Sequence, residues 1–211
     1  MIYSLSHLIQ KDDQKVSGII QDDEALFLFS LCKILLIKNV VELGVGEGYS
    51  TLNFSKAIGE TGTIIGIDKQ KCNKEIDKLV FINKNIENVE SDDIPWNIDL
   101  IFFDAHDFRV QKQFFEKMTI SKKITDDTIL VVHDTNLLPS NLIDIIKLNL
   151  LNFFKDNFEN LNTINMEERK LVNWLVDCGW RPLHLHPQKH KHTPSIPFRN
   201  GLTVLSKSGK L

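Results

Sequence analysis

The stretch Val40-Val41-Glu42-Leu43-Gly44-Val45-Gly46-Glu47-Gly48-Tyr49-Ser50-Thr51 decides how the chain is read. A β-branched apolar run stops at an acid and enters three glycines at every second position, the pattern of a strand turning into a helix. Glycine has no Cβ and tolerates positive φ, so Gly-x-Gly-x-Gly lets main chain approach a bound nucleotide where a side chain would collide. The spacing also discriminates between ligands. A dinucleotide fingerprint needs Gly-x-Gly-x-x-Gly, and counted from Gly44 its third glycine would fall on Tyr49. A pyrophosphate-binding helix is therefore the weaker reading.

Working outward, strand-like and helix-like segments alternate, which predicts an α/β fold: a doubly wound, mostly parallel sheet with helices on both faces. Asp22-Asp23-Glu24 opens a helix with acids at its positive end. Ala25 to Ile37 continues as a nearly all-apolar stretch that suits a core or a homodimer interface equally. Val40–Leu43 is the first strand, Tyr49–Ile58 the helix after the turn, Gly62–Asp68 the second strand and Leu79–Asn83 a short third. Ile98–Phe103 is apolar apart from Asp99 and reads as a strand covered on both faces, ending at Asp104. A helix around Val110–Ile120 leads to Thr128–Val132, which ends at His133-Asp134. Asn141–Phe154 and Met166–Cys178 are amphipathic helical segments, the latter with Gly179 as its C-cap, and Arg181–His186 and Gly201–Ser206 are closing strands.

At 211 residues and 42% hydrophobic, the chain has material for one substantial core. We read a single domain over 1–211, with an N-terminal helical cap segment over 1–38 and the sheet core over 39–211. A net charge of −3 and a pI near 6.2 provide no basic field for nucleic acid. No apolar run reaches the roughly 18 residues needed to cross a bilayer, and Met1-Ile2-Tyr3-Ser4 lacks the character of a signal peptide. The expectation is a soluble cytoplasmic protein with a small-molecule substrate and no membrane partner. Cys32, Cys72 and Cys178 are odd in number and far apart, so buried thiols are expected, not a disulfide framework or a zinc site.

In an open parallel sheet, ligands sit outside the carboxyl ends of the strands. The acids fall there: Glu42 at the glycine turn, Asp68 on the second strand, Asp104 on the fourth and Asp134 on the fifth. A solitary strand-end Asp is more often a helix cap or loop acid, but four in register argue for a site. Asp68 is placed to accept the ribose hydroxyls of an adenosine, as an acid about 20 residues past such glycines does. After the third strand, Asn85 and Ile86 would border the adenine, although a turn-forming Asn and a core Ile explain both residues as well.

With Glu42-Leu43-Gly44-Val45-Gly46-Glu47-Gly48, Asp68, Phe103-Asp104-Ala105-His106-Asp107 and Val132-His133-Asp134-Thr135 in order, the chain resembles the class I S-adenosylmethionine-dependent methyltransferases. Within them it is similar to the small O-methyltransferases related to the catechol, caffeoyl-CoA and macrolide-sugar enzymes. The resemblance is clear from about Asp22 to Asp134. It implies a Rossmann-like sheet with an antiparallel last strand, for which Gly201–Ser206 is the candidate. It further implies cofactor contacts at Glu42, Gly44, Gly46, Gly48, Asp68, Asn85, Ile86 and Asp104, with S-adenosyl-L-methionine as methyl donor. In the metal-dependent members, an acid after the fourth strand and an acid or amide pair after the fifth bind a divalent cation, Mg²⁺ or Mn²⁺. Here those positions hold Asp104 and the pair His133-Asp134. An all-oxygen set suits Mg²⁺, whereas imidazole leans toward Mn²⁺, Fe²⁺, Co²⁺ or Zn²⁺. His133 is thus a ligand that shifts the metal preference, or a base or orienting partner in a metal-free site. Where some relatives place a lysine to take the acceptor's proton, this chain has His106, whose ordinary pKa near 6.5 suits that step; an exposed loop histidine is the plain alternative. The catalytic candidates are His106, His133 and Asp134.

His184-Leu185-His186-Pro187-Gln188-Lys189-His190-Lys191-His192 gathers four imidazoles. Absent acids and the two lysines argue for a polar lid or a patch for an anionic substrate, with Arg181 and Arg199 nearby, over structural zinc. Two rival functions remain. An NAD-dependent oxidoreductase is disfavoured by the glycine spacing and by having only Tyr3 and Tyr49 as tyrosines, without a Tyr-x-x-x-Lys pair. A non-catalytic binding module on the same fold is compatible with the sequence.

Overall fold

The structure, a computed structural model, describes Ile20 and residues 22–135, 159–185 and 201–209. Its frame is a seven-stranded sheet formed by β1 (Asn39–Leu43), β2 (Thr63–Asp68), β3 (Leu79–Asn83), β4 (Leu100–Phe103), β5 (Ile129–Val132), β6 (Arg181–Leu185) and β7 (Leu202–Ser206), in the order β3-β2-β1-β4-β5-β7-β6. β1 to β5 pair in parallel, and β7 enters antiparallel between β5 and β6. The strand order reverses at β1/β4, so the crevice of such a sheet opens where the glycine turn meets Asp104.

Side chains alternate across the strands and divide the core in two. Val41, Leu43, Ile101, Phe103, Leu130 and Val132 face α3 (Phe108–Ile120) and α4 (Glu159–Asp177), which contribute Phe114, Phe115, Met118, Leu171, Val172 and Leu175. Val40, Ile64, Leu100, Phe102 and Val131 face α1 (Asp22–Ile34) and α2 (Tyr49–Ala57), which contribute Ala25, Leu28, Leu31, Cys32 and Phe54. The apolar α1 is thus spent on the chain's own core, leaving Ile34 and Leu36 exposed at its end.

Several expectations need adjusting. The helix expected from Met166 begins at Glu159, and the strand expected from Ile98 begins at Leu100. Asp99, the polar break in that run, accepts at Oδ2 from Lys38 N (3.0 Å) and Asn39 N (2.9 Å), fixing the start of β1. Cys178 is exposed, because the chain leaves α4 there; Cys32 and Cys72 are buried as expected. Gly179 (φ +88°) closes the helix as read: its N–H donates to Val176 and that of Trp180 to Leu175, the Schellman arrangement. Unforeseen 3-10 turns occupy Ile86–Asn88 and Ser91–Asp93. The segments 1–19, 141–154 and 186–200 lie outside the described residues, and with them the first half of the 1–38 cap segment, one expected helix, Arg199 and three of the four clustered histidines. Among the described residues, no helix is long and apolar enough to cross a membrane.

Candidate active site

The glycine turn is built for close approach. Gly44 (φ +90°) lies against β4: a Cβ there would sit 2.4 Å from the Asp104 carbonyl oxygen. Gly48 (φ +76°) begins α2, and its Cβ would meet Ile76 Cδ1 at 2.6 Å. Gly46 (φ +52°) is different, since nothing lies within 4 Å of the position its Cβ would take. Space for a ligand therefore opens at the middle glycine while the outer two hold the turn.

Glu42 projects from β1 toward α2 and is fully buried. Its Oε1 accepts from Ser50 Oγ and its Oε2 from Thr51 Oγ1 (2.5 Å), so both oxygens tie the first turn of α2 to the strand. Burial pushes its pKa up to about 8, against the two hydroxyl donors that pull it down. Asp68, at the end of β2, accepts at Oδ2 from Val45 N and Gly46 N (3.0 Å each) and at Oδ1 from Gln70 N (2.8 Å). One carboxylate thus staples the turn to β2 and retains acceptor capacity on Oδ1. Asn85 is exposed ahead of the first 3-10 turn, and Ile86 packs partly against the core.

Beyond β4 and β5 a second group of residues converges. His133 Nδ1 lies 3.0 Å from Asp104 Oδ1 and 3.7 Å from Asp134 Oδ1. His106 Nε2 lies 3.6 Å from the same Asp104 oxygen and 3.9 Å from Asp134 Oδ2. His133 and Asp134 are buried, whereas the side chains of Asp104 and His106 remain 17% and 27% exposed, so the group is open on that side. His106 and Asp134 both hold φ +54°, directly beyond their strands. Such conformations cost about 1 kcal/mol and recur where a side chain must be aimed. Asp107, by contrast, is the N-cap of α3, accepting from Val110 N (3.0 Å).

Two glutamates that sequence reasoning left out complete the group. Glu168 of α4 is fully buried; its Oε1 accepts from His106 N (3.0 Å) and lies 3.3 Å from His106 Nδ1, and Gln111 Nε2 donates to both oxygens. Glu24 of α1 accepts from Gly201 N at Oε1 (2.6 Å), and its Oε2 lies 3.5 Å from His133 Nε2, a buried nitrogen left without a full hydrogen-bond partner. Burial raises the Glu168 pKa to about 6. For His133, burial pulls the pKa down, but the charges of Asp134 and Asp104 outweigh it and hold the imidazole well above its ordinary value. His106 is likewise raised, its burial outweighed by Glu168, Asp104 and Asp134. Among the described residues, Asp104, His133 and Asp134 form the group able to hold a metal ion, with donor atoms within 4.8 Å of one another. His184 stands apart, its Nδ1 2.9 Å from Thr203 Oγ1.

Comparison with known proteins bears on this geometry. The model of the family described as O-methyltransferase matches residues 4–89. The resemblance is to the O-methyltransferases. A caffeoyl-CoA O-methyltransferase from Medicago sativa is 44% identical over 66 residues, 31% of this chain and 27% of that protein. Tapetum-specific methyltransferase 1 from Arabidopsis thaliana is 36% identical over 74 residues, 33% and 32% of the two chains. The match therefore spans about a third or less of these curated relatives. An O-methyltransferase from Bacillus cereus, solved in complex with SAH, superposes with a TM-score of 0.57 at 14% identity over 91% of this chain and 84% of that one, which carries the fold. The Rossmann-like sheet with its antiparallel last strand is thus as the sequence implied. The family match holds the whole glycine turn and Asp68 but ends before Asp104.

Proposed function

We propose that the chain is an S-adenosylmethionine-dependent methyltransferase acting on a hydroxyl, with an amine as the less favoured acceptor, of a small molecule. The observation that carries this reading is the contact of Gly44 with the Asp104 carbonyl, which sets a nucleotide-type turn directly beside a cluster of acids and imidazoles. A donor at the turn and an acceptor at the cluster would lie next to each other, the arrangement that group transfer by positioning requires. In this reading Gly44, Gly46 and Gly48 cradle the donor's amino-acid end, with Glu42 supporting them from behind. Asp68 takes the ribose, Asn85 and Ile86 border the adenine, and Asp104 closes the pocket toward the acceptor.

The sulfonium makes the methyl group electrophilic by itself. The chain has to align the acceptor oxygen and help it lose a proton. His106, partly exposed and anchored through Nδ1 by Glu168, presents Nε2 on the open side of the cluster, where an acceptor hydroxyl would arrive. Asp104, His133 and Asp134 have the donor atoms and spacing for a divalent cation, which when bound would lower the pKa of an acceptor hydroxyl. The match of the O-methyltransferase family model over residues 4–89, which hold the turn and Asp68, supports the donor.

Calorimetry separates the readings. S-adenosylhomocysteine should bind and NAD should not, and Gly46→Arg, which fills the open space at the middle glycine, should abolish binding while leaving the fold intact. Unimpaired binding by that variant would overturn the site. Turnover on a panel of hydroxylated acceptors then distinguishes an enzyme from a binding module on this fold, and activity indifferent to chelator and to Asp134→Ala would remove the cation from the mechanism.

A further inference from the structure

Arg169 of α4 is half-buried, and its Nε and Nη2 are fully so; among the described residues, neither nitrogen has a hydrogen-bond partner. These two nitrogens form one edge of the guanidinium, the edge that takes both oxygens of a carboxylate in parallel. The acids next to it in sequence are committed elsewhere. Glu168 holds His106 and Gln111, while Glu167 accepts from Phe108 N (3.2 Å) and pairs with Lys170. Burial lowers the Arg169 pKa. A buried ionised donor without an acceptor is costly, so a group left in that state points to an anion that the chain does not itself supply.

The helix places this residue at the acceptor side. Successive residues of an α-helix are turned by about 100°. Glu167 faces the start of α3, as does Trp174 two turns on, which packs on Phe115. Glu168 faces His106 and Gln111. The next step turns Arg169 away from α3, toward the side where β5 ends and β7 begins. Val172, one turn further along that face, lies in the core with Val132 and Leu205. The last turn of α4 leads through Gly179 to the start of β6, so the helix runs away from the carboxyl ends of the parallel strands. Arg169, a turn above Val172 and next to Glu168, therefore stands at the level of the acid and imidazole cluster.

We propose that Arg169 anchors a carboxylate on the methyl acceptor, which makes the acceptor a hydroxylated carboxylic acid bound as its monoanion. This names the substrate class within the methyltransferase reading, on which it rests for the fate of the hydroxyl. A carboxylate matches the site in charge. Asp104, Asp134 and Glu168 already line this side, and one guanidinium offsets one negative charge; a phosphate dianion would leave a second facing those acids. A carboxylate gripped by both nitrogens also fixes one end of the acceptor, so that its hydroxyl approaches His106 from a set direction.

Thermal unfolding of the full chain tests the fork before any acceptor is known. Arg169→Met removes the charge and the donors, and without ligand its melting temperature should rise by roughly 2 °C or more. A fall would reveal a pairing inside the fold and overturn the anchor. Formate, acetate and benzoate, each compared with chloride at equal ionic strength, should raise the melting temperature of the parent, and benzamide should not. Arg169→Met should abolish the response. No response to any of the three carboxylates, an equal response in the variant, or a larger one to inorganic phosphate would each overturn the proposal. Turnover on hydroxy acids paired with their amides gives a second readout. Arg169→Met should lower kcat/KM for the acids roughly 10- to 100-fold and leave the amides unchanged, and Arg169→Lys, which restores the charge without the fork, should recover only part. Equal losses on acids and amides would make Arg169 a structural residue. S-adenosylhomocysteine calorimetry keeps the failures apart. Arg169→Met should bind it as the parent does, and a loss there would give the fork to the donor's own carboxylate instead. Donor binding without a carboxylate response sinks the anchor alone; a carboxylate response without donor binding sinks only the methyltransferase reading.

Discussion

The two halves of the site solve opposite problems with different materials. On the β1–β2 side, recognition is main chain and empty space: three glycines in the left-handed region, and two acids held by uncharged donors, Glu42 by hydroxyls and Asp68 by amides. On the β4–β5 side it is charge against charge, with Asp104, Asp134, Glu24 and Glu168 around two imidazoles. A turn made of backbone is local in the chain and tolerates little variation. A cluster of side chains drawn from α1, α4 and two strand ends keeps its geometry through several partners, so it can change chemistry one residue at a time. That the family match contains the first half and, of the second, only Glu24 agrees with this division.

The comparison is most sharply broken at the joint between the halves. In Gly44→Ala, the Cβ would fall 2.4 Å from one backbone atom of Asp104 and 2.8 Å from another, at φ +90°, so the two strand ends must part. The expected loss of stability is roughly 3 kcal/mol or more, read by denaturant unfolding. Gly46→Ala, with open space around it, should lose only about 1 kcal/mol. Equal losses would mean that the halves are not joined through Gly44. Next in size is Asp68→Ala, which removes both the turn's staple and the proposed ribose acceptor. Its S-adenosylhomocysteine affinity should fall by about 30- to 100-fold, two hydrogen bonds to a charged group, while Mn²⁺ binding on the other side is unchanged. A parallel fall in both would show one cooperative site instead of two.

How much of this was legible follows the same line. Alternation of apolar runs and turn signals gave the strands most plainly at β1, β2 and β4, which are short, largely buried and closed by a glycine or an acid; the shifted helix start at Glu159 and the 3-10 turns carry no such punctuation. Asp68 and the glycines are read from spacing alone. The outer carboxylates were missed because acids on helices read as solvated faces or N-terminal charge, as Asp22-Asp23-Glu24 did. A signal was nevertheless present. Glu168 heads the apolar series Leu171, Val172 and Leu175; Gln111 heads Phe114, Phe115 and Met118; Glu24 heads Leu28 and Leu31. A polar residue in line with a buried helical stripe must find a partner inside, and all three do so at the acceptor side. Which strand end each would meet depends on the packing of α1 and α4, which no spacing in the chain records.

The smallest effect tests the donor side's manner of burying charge. Glu42 has no cation against it, so its folded pKa is raised by burial from the ordinary 4.5 to about 8. A raised acid binds its proton more tightly folded than unfolded; the stability it contributes is complete below about 4.5 and is lost as pH climbs through about 8. Glu42→Gln keeps the size and, because the Ser50 and Thr51 hydroxyls can rotate to donate to its oxygen and accept from its amide, keeps both hydrogen bonds. It does not titrate. The variant should therefore gain on the parent as pH rises from 5 to 6.5, by on the order of 1–2 kcal/mol in paired unfolding curves, with all other groups cancelling in the difference. A pH-independent difference would mean that Glu42 is already ionised at pH 5 and that the turn supplies it with a charge partner. The two halves would then be alike in using paired charge, and the contrast between them would fail.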